Sequence, residues 1–442
     1  MRSQRLSSVS YATLSRRPSV RHRASWGVLK SQDEAPIAEA PGGGTSTFGQ
    51  SLFNCIAILL GVGVLSESVA FTYAAWIGGF VLLGTYGILT YYTAKILVRI
   101  MALDVRINSY ADIARVAFGP RSIWLTISMF CLELFTLSVI LVLLFSDTLH
   151  ELVLSISSDM WKIIGLAFVL PTCFLPLNLL AFTSILGILS IVLLVSTVLI
   201  NGFSITSTPG SLLRPAPTSL LPDWPRLPIA FGLLMDLCNP ERFDSMITWA
   251  YVIATVLYGV IASAGYLMFG NAVSDEVSKD LVNTPGYPRW LNIVMAVGLV
   301  INPLSKYALC TRPLSTTIES LLGIGNMSVG ADPHTSAADS SDPKSSGHKR
   351  LLTKQTLYIV LTRVVLSLVV VLTAILIPSF SIVMSFLGAF SAFLLCVIGP
   401  VCAKCAVEGR WKWYDVIILV VASSMAISGT IMGFWTSCLN EA

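Results

Sequence analysis

The sequence predicts an all-α, multi-pass integral membrane protein, and three observations carry that prediction. Of its 442 residues, 55% are hydrophobic and only 12% charged, whereas a soluble domain carries about a quarter charged residues. Mean hydropathy is +0.78. Apolar runs near the length a helix needs to cross the hydrocarbon core, about 20 residues, recur along the chain with short polar breaks. The length alone would allow two or three soluble domains, but so little polar side chain cannot cover their surfaces.

The first 48 residues are rich in Arg and Ser, then in Gly and Pro, and lack the apolar core of a signal peptide. They predict a disordered tail. Within it, Arg16-Arg17-Pro18-Ser19 resembles a basic-directed phosphorylation site; a plain basic tail that sets topology is the simpler account. The membrane domain should occupy 49–437. Ten full-length apolar runs fall at 49–71, 74–101, 122–147, 162–179, 181–203, 245–269, 288–310, 354–377, 380–403 and 413–436. An eleventh, 227–238, is about half as long as a span. Residues 110–118 read as a short amphipathic helix at the interface, and 325–349 as a disordered linker.

Positive charge sets the orientation. The basic tail places the N-terminus in the cytosol, and the loops around Arg99–Arg121, Lys344–Lys354 and Lys404–Lys412 are basic as well. The loop 271–289, with Asp275, Glu276 and Asp280, suits the far side. These assignments agree only if the chain crosses once more between 203 and 245, where only the stub 227–238 is available. It therefore counts as span six.

Several residues stand out chemically. Asn54 and Gly61-Val62-Gly63 lie within the first span. Paired glycines weaken the helix there, either to expose backbone groups to a substrate or to let another helix approach closely. Glu133 sits mid-way along the third span, where an ionised acid is costly and marks a relay, an ion site or a protonated packing group. Glu67 reads as rim-exposed, and Arg363 as snorkelling or neutralising an acid. Asn302-Pro303 with Ser305 and Lys306 should interrupt the end of the eighth span, as a water-lined path or a simple kink. The nine cysteines read as apolar fillers; Cys402-x-x-Cys405 has no second pair or nearby histidine to complete a metal site. Phosphate loops, H-E-x-x-H and nucleophile elbows are absent. The residues thus predict no metal, no cofactor, no nucleic-acid partner and no enzyme.

The run Ser51-Leu52-Phe53-Asn54 … Leu60-Gly61-Val62-Gly63-Val64-Leu65 … Tyr73-Ala74-Ala75-Trp76-Ile77-Gly78 resembles the first two spans of the amino acid/auxin permease family. So do Cys131-Leu132-Glu133-Leu134-Phe135, Gly265-Tyr266-Leu267-Met268-Phe269-Gly270, Lys306-Tyr307-Ala308-Leu309-Cys310-Thr311-Arg312-Pro313-Leu314, and Ile377-Pro378-Ser379-Phe380 leading to Ser385-Phe386-Leu387-Gly388. The likeness runs from about Thr47 to the C-terminus and is strongest to fungal vacuolar amino-acid transporters. It implies a LeuT-like bundle of the APC superfamily, with two inverted five-helix repeats and eleven spans. In such a bundle spans one and six break at mid-membrane around the substrate. Carried over, Asn54, Gly61, Val62, Gly63 and Leu65 would bind an amino acid. Glu133, Asn302 and Ser305 become candidates for coupling to protons, the implied ion.

Two departures accompany the resemblance. Glu67-Ser68 stands where relatives usually have Leu-Pro. In span six, Phe231-Gly232-Leu233-Leu234-Met235 passes directly to Asp236-Leu237-Cys238-Asn239-Pro240, as though about fifteen residues of the family pattern were excised. Either the chain is an altered splice form or gene model of an ordinary transporter, or it has lost half of the substrate site. The expected function is amino-acid transport across the vacuolar membrane. The alternative is a transport-deficient variant or an amino-acid sensor on the same fold.

Overall fold

The computed structural model describes residues 62–103, 107, 109–174, 177–237, 244–321, 345–377 and 379–440. The expected tail (1–48), Asn54 and Gly61 lie outside them. A 3-10 turn, Val62–Leu65, leads into α1 (Glu67–Met101). Next come α2 (Tyr110–Phe118), α3 (Ser122–Leu152), α4 (Ser158–Thr172) and α5 (Leu177–Ser204). The half-span is α6 (Leu227–Leu233), ending in a 3-10 turn, Leu234–Leu237. Then follow α7 (Asp244–Phe269), the short α8 (Val277–Asn283), α9 (Arg289–Leu321) and α10 (Ser345–Leu376). The last run is α11 (Phe380–Phe386), a π-helix (Leu387–Ile398) and α12 (Gly399–Glu408), with α13 (Trp413–Asn440) closing the bundle.

Among the described residues, eight helices are long and apolar enough to cross a membrane. The ten expected full-length runs reduce to eight for two reasons. The first run is described only from Val62, and its helical part joins the second run as α1, across a kink at Ala75. The fourth is the 15-residue α4, which spans only about 22 Å at 1.5 Å per residue. Two further expectations are corrected. α9 runs unbroken through Pro303 and Pro313, so Asn302-Pro303 does not interrupt the helix. α10 already begins at Ser345, inside the expected linker; residues 322–344 lie outside the described set.

Ala75 has φ 52° and ψ −170°, a region costly for any residue with a Cβ. The break frees backbone groups, and loop 205–226 takes them up. Trp76 and Ile77 donate to the carbonyls of Ser219 (3.3 Å) and Leu220 (3.2 Å), and Asp223 donates to that of Tyr73 (3.1 Å). α2 is capped by Ser109, whose Oγ accepts from the Asp112 N–H, a frequent N-cap arrangement. The Tyr110 hydroxyl ties it to the Leu395 carbonyl in the π-helix at 2.8 Å.

Paired contacts order the bundle. Tyr92 meets Asp415, and Tyr86 meets Met425, so α1 and α13 are antiparallel. The Asn201 amide donates to Asn292 Oδ1 at 2.7 Å, while Gly187 faces Asn302 and Lys306, so α5 and α9 are antiparallel. Gly87 lies against Thr255 and Gly265 against Ser68, which sets α7 antiparallel to α1. One face therefore gathers the Ala75 kink, the end of α3, loop 205–226, the end of α7 and α8. The other gathers Arg99, α2, the ends of α4, α9 and α12, and the start of α13. α6 begins beside loop 205–226, since Leu227 donates to the Asp223 carbonyl, and α7 ends there, with Met268 accepting from Gly210. α7 is about 39 Å long at 26 residues, so Leu227 and Asp244 lie at opposite faces. Large apolar side chains such as Ile88, Leu125 and Val420 point outward, as lipid contact requires. Trp124, Trp290, Trp411, Trp413 and Trp435 are exposed near helix ends, where interfacial aromatics collect.

Candidate functional site

The described part of the first span begins with a 3-10 turn, Val62–Leu65, at the second glycine of the pair. Ser66 donates both its N–H and its Oγ to the Gly63 carbonyl, each at 2.9 Å, which closes the 3-10 turn. The α-helix starts only at Glu67. Val62, Gly63, Val64 and Leu65 are all buried, and their turn packs against α7 and the turn Leu234–Leu237. The turn Val62–Leu65 and the end of the half-length sixth span therefore meet in the core, where Leu233, Leu234 and Met235 are fully buried.

α6 is gripped on two sides. A Cβ on Gly232 would collide with the Ser385 backbone, and one on Gly388 with the Gly232 backbone. On the other side, a Cβ on Gly429 of α13 would stand 3.0 Å from the Pro228 carbonyl. Small residues at such crossings let helices approach backbone to backbone. The π-helix, a form that concentrates at functional positions, runs directly from this contact.

Asn302 and Ser305 lie buried in α9 facing Gly187 of α5, where a Cβ would be 3.4 Å from Asn302 Oδ1 and 3.3 Å from Lys306 Cε. Ser305 donates to the Asn302 carbonyl at 2.8 Å; Asn302 Oδ1 accepts no hydrogen bond. Glu133, half-buried in α3, lies within electrostatic reach of Tyr110 and Cys310. The described contacts thus bring the 3-10 turn to α6 and α7, and Asn302 with Ser305 to α5.

Three positions differ from their sequence reading or were missed by it. Glu67, expected at the rim, is completely buried at the start of α1. Glu276, counted as a loop charge, is also completely buried. Lys404, counted as a basic loop residue, is buried with Asp415, donating to both carboxylate oxygens at 2.8 and 2.9 Å and to the Tyr92 hydroxyl at 3.0 Å. The spacing Val277…Leu281 in the loop was a usable signal, because i, i+4 apolar pairs mark a helix with a buried face. Arg363 neutralises an acid: its Nη1 donates to the Cys173 carbonyl at 2.9 Å, and its Nε lies 3.7 Å from Glu319.

The eight described helices of membrane-crossing length, packed together, define a multi-pass membrane protein. The family described as "Transmembrane amino acid transporter protein" matches residues 44–223 and 228–435. The chain belongs to that family, the amino acid/auxin permeases, whose members are transporters and not enzymes. Amino acid transporter AVT1E of Arabidopsis thaliana is 27% identical over 414 residues, covering 88% of this chain and 71% of that protein. Amino acid transporter AVT1J of the same plant is 25% identical, covering 92% of this chain and 94% of that protein. The vesicular inhibitory amino acid transporter of Xenopus tropicalis is 23% identical, covering 86% and 75%. Among solved structures, the inward facing conformation of Mhp1 aligns with TM-score 0.43 and 14% identity over 91% of this chain and 93% of that one.

Proposed function

We propose that this chain is a secondary active transporter that moves amino acids across the vacuolar membrane, coupled to protons. The carrying observation is the packing of the 3-10 turn Val62–Leu65 against the turn that ends the half-length sixth span. Gly63 and Leu65 with neighbouring Val62, and Asn54 and Gly61 ahead of them, bind the substrate backbone. Glu133, Asn302 and Ser305 are the coupling candidates. The bundle is of the LeuT type, with inverted repeats, eleven crossings and a cytosolic N-terminus. The basic residues Arg99, Arg115, Arg410 and Lys412 gather at one face and the acidic 271–289 loop at the other, which supports that orientation.

α6 and its turn, Leu227–Leu237, reach about 18 Å at helical rises, short of the ~30 Å of hydrocarbon. A second reading, binding without flux as a sensor or a transport-deficient variant, is favoured by the full burial of Leu233, Leu234 and Met235 at the centre.

The two readings part in proteoliposomes holding the full chain. Transport predicts counterflow of labelled neutral amino acids and proton-gradient-driven uptake. Binding without counterflow selects the sensor. If a version given a family-length sixth span binds and moves no amino acid, the transporter reading fails.

A further inference from the structure

α8 seats on the core near the start of α1. Val277 and Leu281 are fully buried, and Val277 packs on Gly265, against which Ser68 of α1 also lies. Ser68 in turn donates to the Ile261 carbonyl of α7 at 3.1 Å. Polar anchors ring this short helix. Lys279 donates to Asp147 Oδ2 of α3 at 2.8 Å, and Asn283 donates to Glu151 at 2.7 Å. The Ser274 N–H donates to Asp280 at 2.9 Å, and Ser379, at the start of α11, donates to Asp275 at 3.3 Å.

Glu276 sits within this ring with no solvent exposure at all. The charged groups facing it are Lys279 of its own helix, Asp147 of α3 and Asp275 of the preceding loop. Glu151 acts on the neighbouring Asp280, which in turn acts on Tyr287, and the Asp159–Lys162 pair of α4 is closed on itself at 2.8 Å. Three carboxylates, Asp147, Asp275 and Glu276, thus share one ammonium. Asp147 holds it at 2.8 Å and also accepts from Ser158. Glu276 Oε1 lies 3.5 Å from it and accepts no hydrogen bond, and Oε2 has only the Ser278 hydroxyl at 3.4 Å. An ionised carboxylate in so dry and poorly donated a position is costly, and a proton removes that cost. Asp147 already accepts from Lys279 and Ser158, whereas Glu276 lacks such donors, so the proton belongs on Glu276.

On the transporter reading above, we propose that Glu276 is a proton-binding residue of the transport cycle, protonated while α8 is seated and deprotonated when α8 lifts. On lifting, the O–H bond of the carboxylic acid breaks, the proton passes to entering water as hydronium, and the carboxylate stays hydrated beside Lys279. Burial pushes the seated Glu276 up to about 8, against the opposing pull of Lys279, while a hydrated glutamate titrates near 4.3. Between those values, lifting α8 releases a proton. Acid therefore favours the seated helix, and that preference fades as pH rises through about 8.

Infrared difference spectroscopy of the full chain in liposomes, titrated across that range, tests this directly. The wild-type protein should show a protonated-carboxyl stretch that disappears at a pH of about 8. Glu276→Gln should lack the band, Asp280→Asn should keep it, and Lys279→Met should move its midpoint upward. Hydrogen exchange of peptide 273–288, corrected for intrinsic rates, should accelerate through the same midpoint in the wild type and not in Glu276→Gln. A band that survives Glu276→Gln, or one that vanishes in Asp280→Asn, overturns the proposal. If Glu276→Gln does not fold, Lys279→Met decides, and an unmoved midpoint is fatal. Both readouts are independent of flux: counterflow without the titrating band removes the proton site alone, and the band without counterflow removes the transporter reading alone.

Discussion

Gly232 and Gly388 meet backbone to backbone, so neither position has room for a side chain. This contact seats the half-length sixth span on the junction of α11 and the π-helix, beside the Gly429 crossing on α13. The centre of the protein is therefore set by glycine spacing as much as by apolar area.

Replacing Gly388 by Ala should separate those backbones. Overpacking of this kind costs about 1–3 kcal/mol, so a lower melting temperature in detergent is expected. Gly84→Ala, where nothing lies within 4 Å, should be neutral or slightly stabilising by contrast. Equal effects at the two sites would show that the sixth span is not held by this contact.

Ala75 makes the turn between the first two spans with a positive φ. Ala75→Gly should relieve about 1 kcal/mol or more of backbone strain, less the entropy glycine adds to the unfolded chain. The expected result is unchanged or raised thermal stability, and Ala75→Val should lower it. A clear loss of stability in Ala75→Gly would contradict the strained turn.

Lys404 and Asp415 form a buried pair across α12 and α13. Removing one partner strands a buried charge, a loss of about 3–5 kcal/mol, whereas replacing both with apolar residues is often close to neutral. Lys404→Met and Asp415→Leu should each reduce the folded yield in size-exclusion profiles, and the double variant should recover much of it. A double variant as poor as the worse single one would contradict the pairing.

Stability should also respond to pH through Glu276. Its folded-state value is raised, to about 8, above the ordinary value near 4.3. Its contribution is therefore fully present below the ordinary value and is lost as pH rises through about 8. Melting temperatures should fall as pH rises from about 4.3 to about 8 in the wild type and level off above, with a shallower slope in Glu276→Gln. Parallel slopes would rule the contribution out.

Much of the fold was legible in the residues alone. The runs 245–269, 181–203 and 413–436 became α7, α5 and α13 with ends shifted by at most four residues, and 110–118 became α2 unchanged. Loop charge demanded a crossing between 203 and 245; the described residues there hold the short α6, its turn and the start of α7. The candidate site was less legible. Val62, Gly63 and Leu65 sit in a 3-10 turn beside the sixth span, but Asn302 and Ser305 face Gly187 across a helix that passes straight through Pro303. The environments of Glu67, Glu276 and Lys404 were misread as exposed.

The sequence by itself determined that this is a multi-pass helical membrane protein, because a lipid interior accepts only long apolar helices whose backbone groups are satisfied within the segment. It also determined the family, through motifs kept in order along the chain. Only the tertiary structure decided which charges are buried and which glycines touch. Burial and contact depend on residues far apart in the chain, as when Lys279 meets Asp147 or Gly232 meets Gly388, and no local pattern records who the neighbour is.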